Sequence, residues 1–494
     1  MHKKSALKLQ KILTTFFEND ILNLEMKAFV CCANILSFCY KLFLRLESNK
    51  RIRLGKVRET MKKKIMAVAL VVTMAASVFT GCGAKAKTAK VTKVSGFEPG
   101  VEIDTKNKIE LTVWESNGGP DEFIEQAGAS FTALYPNITI KYVNVESADA
   151  QTKIALDGPS GNGPDLFAAA HNIMGALVAG GYVSEVPAEL TDTVKGYVKE
   201  SCAQCATLTD SKTGDQTMYG YPVSAETYAL FYNKKLIKEE EVPKTMDDLL
   251  AYIEEYKKSH NADESRPFVM DAGNAYYSVM FTNTDENHLY GETGSDITNT
   301  YMNTDAAVKN LQTFVKLSKA VDMPSDDLAT KYCDAMFKEG QAAMTITGAW
   351  NIKPFEDEDV DFGITTIPSL PGVDHPPITF QGVRCMYVSS FSKHKNEAAA
   401  FAAFLETPEM QKLRYDITGT IPAADIEVDD EKGYMAGMNA QLEYSYPMPN
   451  MAQASLFWSA FGSAYSNIWN GNTKSDDASI LAELDAANQT ATKK

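Results

Sequence analysis

The sequence predicts an α/β fold divided between two lobes, on three observations. A β-α-β unit is spelled out over residues 109–143, strand-like apolar runs and amphipathic helices keep alternating as far as residue 346, and the body is too long for one sheet. Ile109–Trp114 is a strand-like run broken by Asn117-Gly118-Gly119-Pro120. Asp121 then opens a helix with Phe123, Ile124, Ala127, Phe131 and Leu134 on one face, and Tyr135-Pro136-Asn137 ends it. Ile138, Ile140, Tyr142 and Val143 form the next strand. Further strands are predicted over 164–170, 229–232 and 342–346, and Thr245–Tyr256 reads as a capped amphipathic helix.

The ends of the chain differ from this body. Met61-Lys62-Lys63-Lys64, an apolar stretch from Ile65 to Phe79 and small residues before Cys82 have the order of an export signal. The stretch is shorter than the roughly 20 residues that a membrane-spanning helix needs. Phe79-Thr80-Gly81-Cys82 resembles the bacterial lipoprotein cleavage box, with Phe79 where leucine is usual. Cys82 is thus the expected lipidation site and first mature residue, with 61–81 the signal peptide and 82–107 a flexible polar tether. Export signals act from an N-terminus, so residues 1–60 are expected to be a misannotated extension ahead of a true start at Met61. Arg58-Glu59 could be encoded AGG-GAG, a ribosome-binding sequence. The rival is a genuine extension with an additional apolar segment over 28–44.

Charge splits the same way. Residues 1–60 hold 12 Lys/Arg against 5 Asp/Glu, whereas the chain from Cys82 onward holds 33 against 59. So acidic a body repels phosphate backbones, and no nucleic acid partner is expected. Four cysteines, Cys202, Cys205, Cys333 and Cys385, remain in it, too few for a disulfide scaffold. The Cys202-x-x-Cys205 pair is open to three readings: inert thiols, a small surface disulfide or a redox pair. Without a second C-x-x-C or paired histidines, no metal is expected.

Five segments, in order, resemble the maltose/maltodextrin-binding proteins of bacterial ABC importers, within the wider extracellular solute-binding family. They are Leu111-Thr112-Val113-Trp114 with its helix to Asn137; Gly161-Asn162-Gly163-Pro164-Asp165-Leu166 running to Ala170-His171; and Gly220-Tyr221-Pro222-Val223-Ser224-Ala225-Glu226 with Phe231-Tyr232-Asn233-Lys234. Phe337-Lys338-Glu339-Gly340 through Trp350, and Met448-Pro449-Asn450 through Trp458, complete the set. The resemblance implies the two-lobed periplasmic-binding-protein fold, with a ligand cleft at the hinge. One lobe would comprise 108–224 plus 386–418, the other 225–380 plus 419–494.

Sugar rings offer apolar faces and hydroxyl rims, so a sugar cleft needs aromatic platforms beside carboxylates and amides. The resemblance assigns ring stacking to Trp350, Trp458 and Tyr276, hydroxyl binding to Glu226, and ligand contact to His171 and Asn172. Trp114 and Trp469 are left to packing. Three departures stand out. An Asp-Arg pair of the classical proteins is Asn172-Ile173 here, an aromatic two residues before the histidine is Ala169, and a Tyr and an Arg after the last tryptophan are Ser459 and Gly462. The implied function is capture of maltooligosaccharide or a related glycan for delivery to permease subunits, by a monomer held to the membrane through lipid. No cofactor and no catalytic residue are expected. A glycan-cleaving enzyme would need a second acid opposite Glu226, and no motif supplies one.

Overall fold

The computed structural model describes residues 89–209, 213–261 and 265–493. Cys82, the signal segment and the extension lie outside them. The described strands are β1 (Ile109–Glu115), β2 (Ile138–Asn144), β3 (Leu166–Ala170), β4 (Thr207–Thr209), β5 (Gln216–Met218), β6 (Gly220–Glu226), β7 (Tyr228–Asn233), β8 (Met344–Gly348), β9 (Phe362–Thr365), β10 (Thr379–Val388) and β11 (Ser445–Pro447). They form a six-stranded sheet in the order β11-β10-β3-β1-β2, with β6 also paired to β10, a three-stranded sheet in the order β8-β7-β9, and the β4-β5 hairpin.

The β-α-β unit is as its pattern dictates. β1 runs parallel to β2, with Leu111 and Val113 fully buried. The helix Pro120–Leu134 starts with proline in its first turn, followed by Asp121 and Glu122 where the helix dipole favours acids. It buries Phe123, Ile124, Ala127 and Phe131 against the sheet, but Leu134 in its last turn is exposed rather than in the core. The helix Met246–Ser259 is capped by the Thr245 hydroxyl, which accepts from the Asp248 N–H at 3.1 Å.

Between the two sheets lies a single residue. β6 ends at Glu226 and β7 begins at Tyr228, so the chain changes sheets at Thr227. Thr227 is fully buried, and its hydroxyl bonds to Thr379 Oγ1 and to the Phe380 carbonyl, both at 2.9 Å. Thr379 opens β10, which pairs with β11 over its first three residues and with β6 and β3 further on.

One expectation needs correction and one open reading is narrowed. The tether expected over 82–107 is not free in its second half. Val94 and Phe97 are buried, Thr92 N–H donates to Ser130 Oγ at 2.9 Å, and the Phe97 ring meets Phe404 edge-on at 5.1 Å. Phe97 supplies the apolar anchor that a polar composition concealed. Of the three readings left open for the Cys202/Cys205 pair, the structure agrees with inert thiols: both are free and buried. Burial pushes the Cys202 thiol up to about 11 and Cys205 well above the usual range, so neither offers the thiolate that redox exchange requires. Trp114 and Trp469 are core residues, at 3% and 4% exposure. Among the described residues no helix is long and apolar enough to cross a membrane.

If residues 92–97 belong to the packed body, Phe97→Ala should lower unfolding stability by roughly 3 kcal/mol. Urea denaturation measures this, and a free tether would show no change.

Candidate functional site

Trp350 follows β8, in the turn Ala349–Asn351. Its ring folds back over the end of its own strand, where a Cβ on Gly348 would stand 2.1 Å from Trp350 Cζ3. Only glycine leaves that space. Tyr276 lies in the short helix Ala275–Ser278, capped by Asn274, whose side-chain oxygen accepts from Tyr276 N–H at 3.0 Å. Trp458 is in the first turn of the helix Ser455–Trp469. That helix comes close enough to the loop ahead of the Tyr276 helix that a Cβ on Gly462 would sit 3.1 Å from the Gly273 carbonyl oxygen. Glycine at 462 therefore serves close packing, and a long side chain there would push the helix away.

These three aromatics meet in one cluster. Tyr276 lies 6.2 Å from Trp350, centroid to centroid, and 6.2 Å from Phe380, with the Tyr276 and Phe380 planes 29° apart. Phe380 in turn meets Trp458 edge-on at 5.8 Å. Phe380 is fully buried, while Trp350, Tyr276 and Trp458 are only partly buried and pack against the core. No sequence signal marked Phe380; it reads as an ordinary strand residue. It packs against both Tyr276 and Trp458, and its carbonyl accepts the Thr227 hydroxyl bond.

Glu226 ends β6 opposite Gly382 of β10. It is half-buried, and desolvation raises its carboxyl above the usual range, against the opposing pull of the Arg384 and Arg414 charges. Arg384 also crosses to the end of β1. It forms an ion pair with the fully buried Glu115 and donates to Ser116 Oγ at 2.8 Å and Ser147 Oγ at 3.1 Å. Neither arginine was visible as a site residue in the sequence, since each acts from an element remote in the chain.

His171 and Asn172 lie in the turn His171–Ile173 that ends β3. His171 does not face a ligand. It is fully buried, its Nδ1 accepts from the Val383 N–H at 3.0 Å, and its Nε2 lies 2.9 Å from the Met448 carbonyl oxygen. Those two contacts fix the neutral tautomer with the proton on Nε2. Burial lowers the imidazole to about 4. His171 is a tie between the first sheet and the segment leading to Trp458, not a sugar contact. Nearby, Gly175 N–H donates to the Asn450 carbonyl at 2.8 Å, and Asn450 Nδ2 donates to the Thr207 carbonyl at 2.9 Å. Asn172 is half-buried, and its amide has no hydrogen-bond partner among the described residues.

Among the described residues no three His, Cys, Asp or Glu side chains are grouped to hold a metal. Surface cavities of about 670 and 420 Å³ lie along the helix Asp305–Val321, the larger also lined by Met323, Trp469 and Lys474. None of the aromatic platforms or Glu226 lines them.

Residues 126–436 match the profile of a family described as bacterial extracellular solute-binding protein. The chain is 29% identical over 397 residues to the galactooligosaccharide-binding protein of Bacillus subtilis, covering 77% of this chain and 88% of that one. It is 28% identical over 410 residues to a maltooligosaccharide ABC transporter solute-binding lipoprotein of Streptococcus pneumoniae, covering 80% and 90%. Among solved structures, the Thermus thermophilus maltotriose binding protein bound with maltotriose is similar with a TM-score of 0.66 at 25% identity, over 76% of this chain and 98% of that one. MalX from Streptococcus pneumoniae in complex with maltopentaose shares the fold with a TM-score of 0.67 at 24% identity, over 77% and 99%.

The buried neutral His171 makes stability depend on pH. An unfolded histidine takes a proton near 6.5, whereas the folded one resists until about 4, so stability falls as pH drops between those values. His171→Gln should lose about 3 kcal/mol less than the parent chain between pH 7 and pH 4. Urea unfolding across that range checks it, and parallel curves would contradict it. With its fold of two joined α/β sheets, its aromatic cluster at their junction and a family match spanning most of the body, the chain belongs to the bacterial extracellular solute-binding protein family.

Proposed function

We propose that the chain captures an oligosaccharide, of maltooligosaccharide or related type, and presents it to the permease subunits of an ABC importer without changing it chemically. The observation carrying this reading is the run Trp350–Tyr276–Phe380–Trp458 beside Glu226, where the two sheets meet. Aromatic faces stack on the apolar faces of sugar rings, and Glu226 and the Asn172 amide exchange hydrogen bonds with hydroxyls. The lobes, 108–224 with 386–418 and 225–380 with 419–494, close about the crossover at Thr227, and the closed form is what the permease accepts. Export and lipidation at Cys82 hold this monomer at the outer membrane face; labelling with radioactive palmitate, lost in Cys82→Ala, tests the anchor.

The glycan itself has two candidates. Relatives described as maltooligosaccharide-binding support a maltooligosaccharide, and the 29% identical relative described as galactooligosaccharide-binding supports a galactooligosaccharide. The absence of charge at Asn172-Ile173 and of large side chains at Ala169, Ser459 and Gly462 reshapes the polar rim and favours neither outright. Calorimetric titration with maltose, maltotriose, maltotetraose and 4-galactosyl-lactose separates them. Trp350→Ala and Trp458→Ala should each weaken the best ligand at least tenfold, about 1.4 kcal/mol. Unchanged affinity in both would remove the platforms from the site, and release of shorter sugars during the titration would contradict binding without turnover.

A further inference from the structure

β3, β6 and β10 are buried almost throughout. Of their residues only Ala170, Glu226 and Arg384 are not buried. The register places these three together. Arg384 pairs with Ala170 of β3 on one side and with Ser224 of β6 on the other, and Glu226 stands opposite Gly382, two residues back along β10. Side chains directly opposite one another share a face of a sheet, and so do those two apart along a strand. Ala170, Arg384 and Glu226 therefore open on one face, which is also the face of Phe380. Ala170 has only a methyl group with which to cover the guanidinium from β3, and Asn172 follows it in the turn that ends that strand.

Arg384 is held there without being saturated. Its guanidinium forms an ion pair with Glu115 and donates to Ser116 Oγ at 2.8 Å and to Ser147 Oγ at 3.1 Å. Ser147 N–H also donates to Ser116 Oγ at 3.2 Å, so the segments that follow β1 and β2 are stitched together beside the cation. A guanidinium has five N–H donors, and three oxygens accept from this one. Nη1 gives one of its two hydrogens to Ser147, and Nε has no partner among the described residues. The Arg384 side chain is 12% exposed, whereas that of Glu115 is wholly buried. Packing alone gives no reason for such a pair, because apolar residues of similar volume do as well or better. A cation fixed in orientation, short of acceptors and open on the face of the aromatic cluster is a prepared donor.

We propose that Arg384 is a further ligand contact and a specificity determinant, donating its uncommitted Nη1 hydrogen to a hydroxyl oxygen of the sugar held at the aromatic cluster. The inference rests on the reading of that cluster and Glu226 as the sugar site. Arg384 donates where Glu226 accepts, so the two together select a pattern of hydroxyls. The adjacent Asn172-Ile173 pair carries no charge, which leaves charge-assisted donation at this opening to Arg384. Glu115, Ser116 and Ser147 fix the guanidinium before the ligand arrives. A sugar whose matching hydroxyl is missing or turned away then leaves a charged donor unpaired, the mismatch that polar sites reject most strongly.

The test is calorimetric affinity for maltotriose and 4-galactosyl-lactose, and for the monodeoxy derivatives of whichever binds the parent chain more tightly. The proteins are the parent chain, Arg384→Lys and the double variant Glu115→Gln/Arg384→Gln, which removes both charges so that no buried carboxylate is left unpaired. Folding is verified by circular dichroism, and Arg384→Lys suffices if the double variant fails to fold. Each variant should bind the tighter sugar about tenfold more weakly than the parent, since lysine keeps the charge but not the forked donors. One monodeoxy sugar should bind the parent about tenfold more weakly than the full sugar, yet bind each variant within twofold of that variant's affinity for the full sugar. Parent-like affinity in both variants would overturn the proposal. So would a loss in the variants that leaves every monodeoxy penalty at its parent value, because the guanidinium would then act only by holding β1 against β10. Failure of the parent chain to bind either sugar would defeat the proposed function itself, and the role of Arg384 with it.

Discussion

The hydroxyl of Thr227 is the constraint from which the rest follows. A chain that crosses between two sheets in one residue leaves polar backbone at a dry junction, where unmade hydrogen bonds are expensive. Thr227 answers this by bonding to the first two residues of β10. Because β10 also pairs with β3, β6 and β11 within the six-stranded sheet, the crossover into the β8-β7-β9 sheet is anchored on that one strand. Glu226 immediately precedes that crossover, and Phe380 immediately follows Thr379. The carboxylate and the ring that packs against Tyr276 and Trp458 are therefore fixed to the same node.

Around this node the polar groups divide into those that are committed and those that are free. His171 spends both ring nitrogens on backbone, tying β3 to β10 and to the segment ahead of Trp458. Glu115 and Arg384 pair with each other and with two serines. Asn172, Glu226 and the partly buried rings of Trp350, Tyr276 and Trp458 have no such commitments. A ligand that offers ring faces and hydroxyls fits what is left, and a rigid ring of committed groups keeps the free ones in place before the ligand arrives.

Much of this was legible in the sequence because it is local. The β1–helix–β2 unit follows from hydrophobic period and turn residues, and the structure brings Trp350, Tyr276 and Trp458 near one another around Phe380. What escaped is set by contacts distant in the chain. A buried, backbone-bonding histidine and a ligand-binding one share a letter, so His171 was misread. Phe97 was hidden by the polar residues around it, and Leu134 kept its period into a helix end that leaves the core. The Cys202-x-x-Cys205 spacing says nothing about whether the thiols are buried. Phe380 gains its meaning only when β10 is folded against β6 and the short helix carrying Tyr276.

The central claim is that the ligand lies on the aromatic cluster at the sheet junction. A crystal structure of the protein soaked or grown with its tightest-binding oligosaccharide addresses it directly. The account predicts sugar rings against Trp350, Tyr276 and Trp458 with a hydroxyl donating to Glu226. Sugar seated instead in the cavities along the helix Asp305–Val321, with the cluster empty, would contradict it.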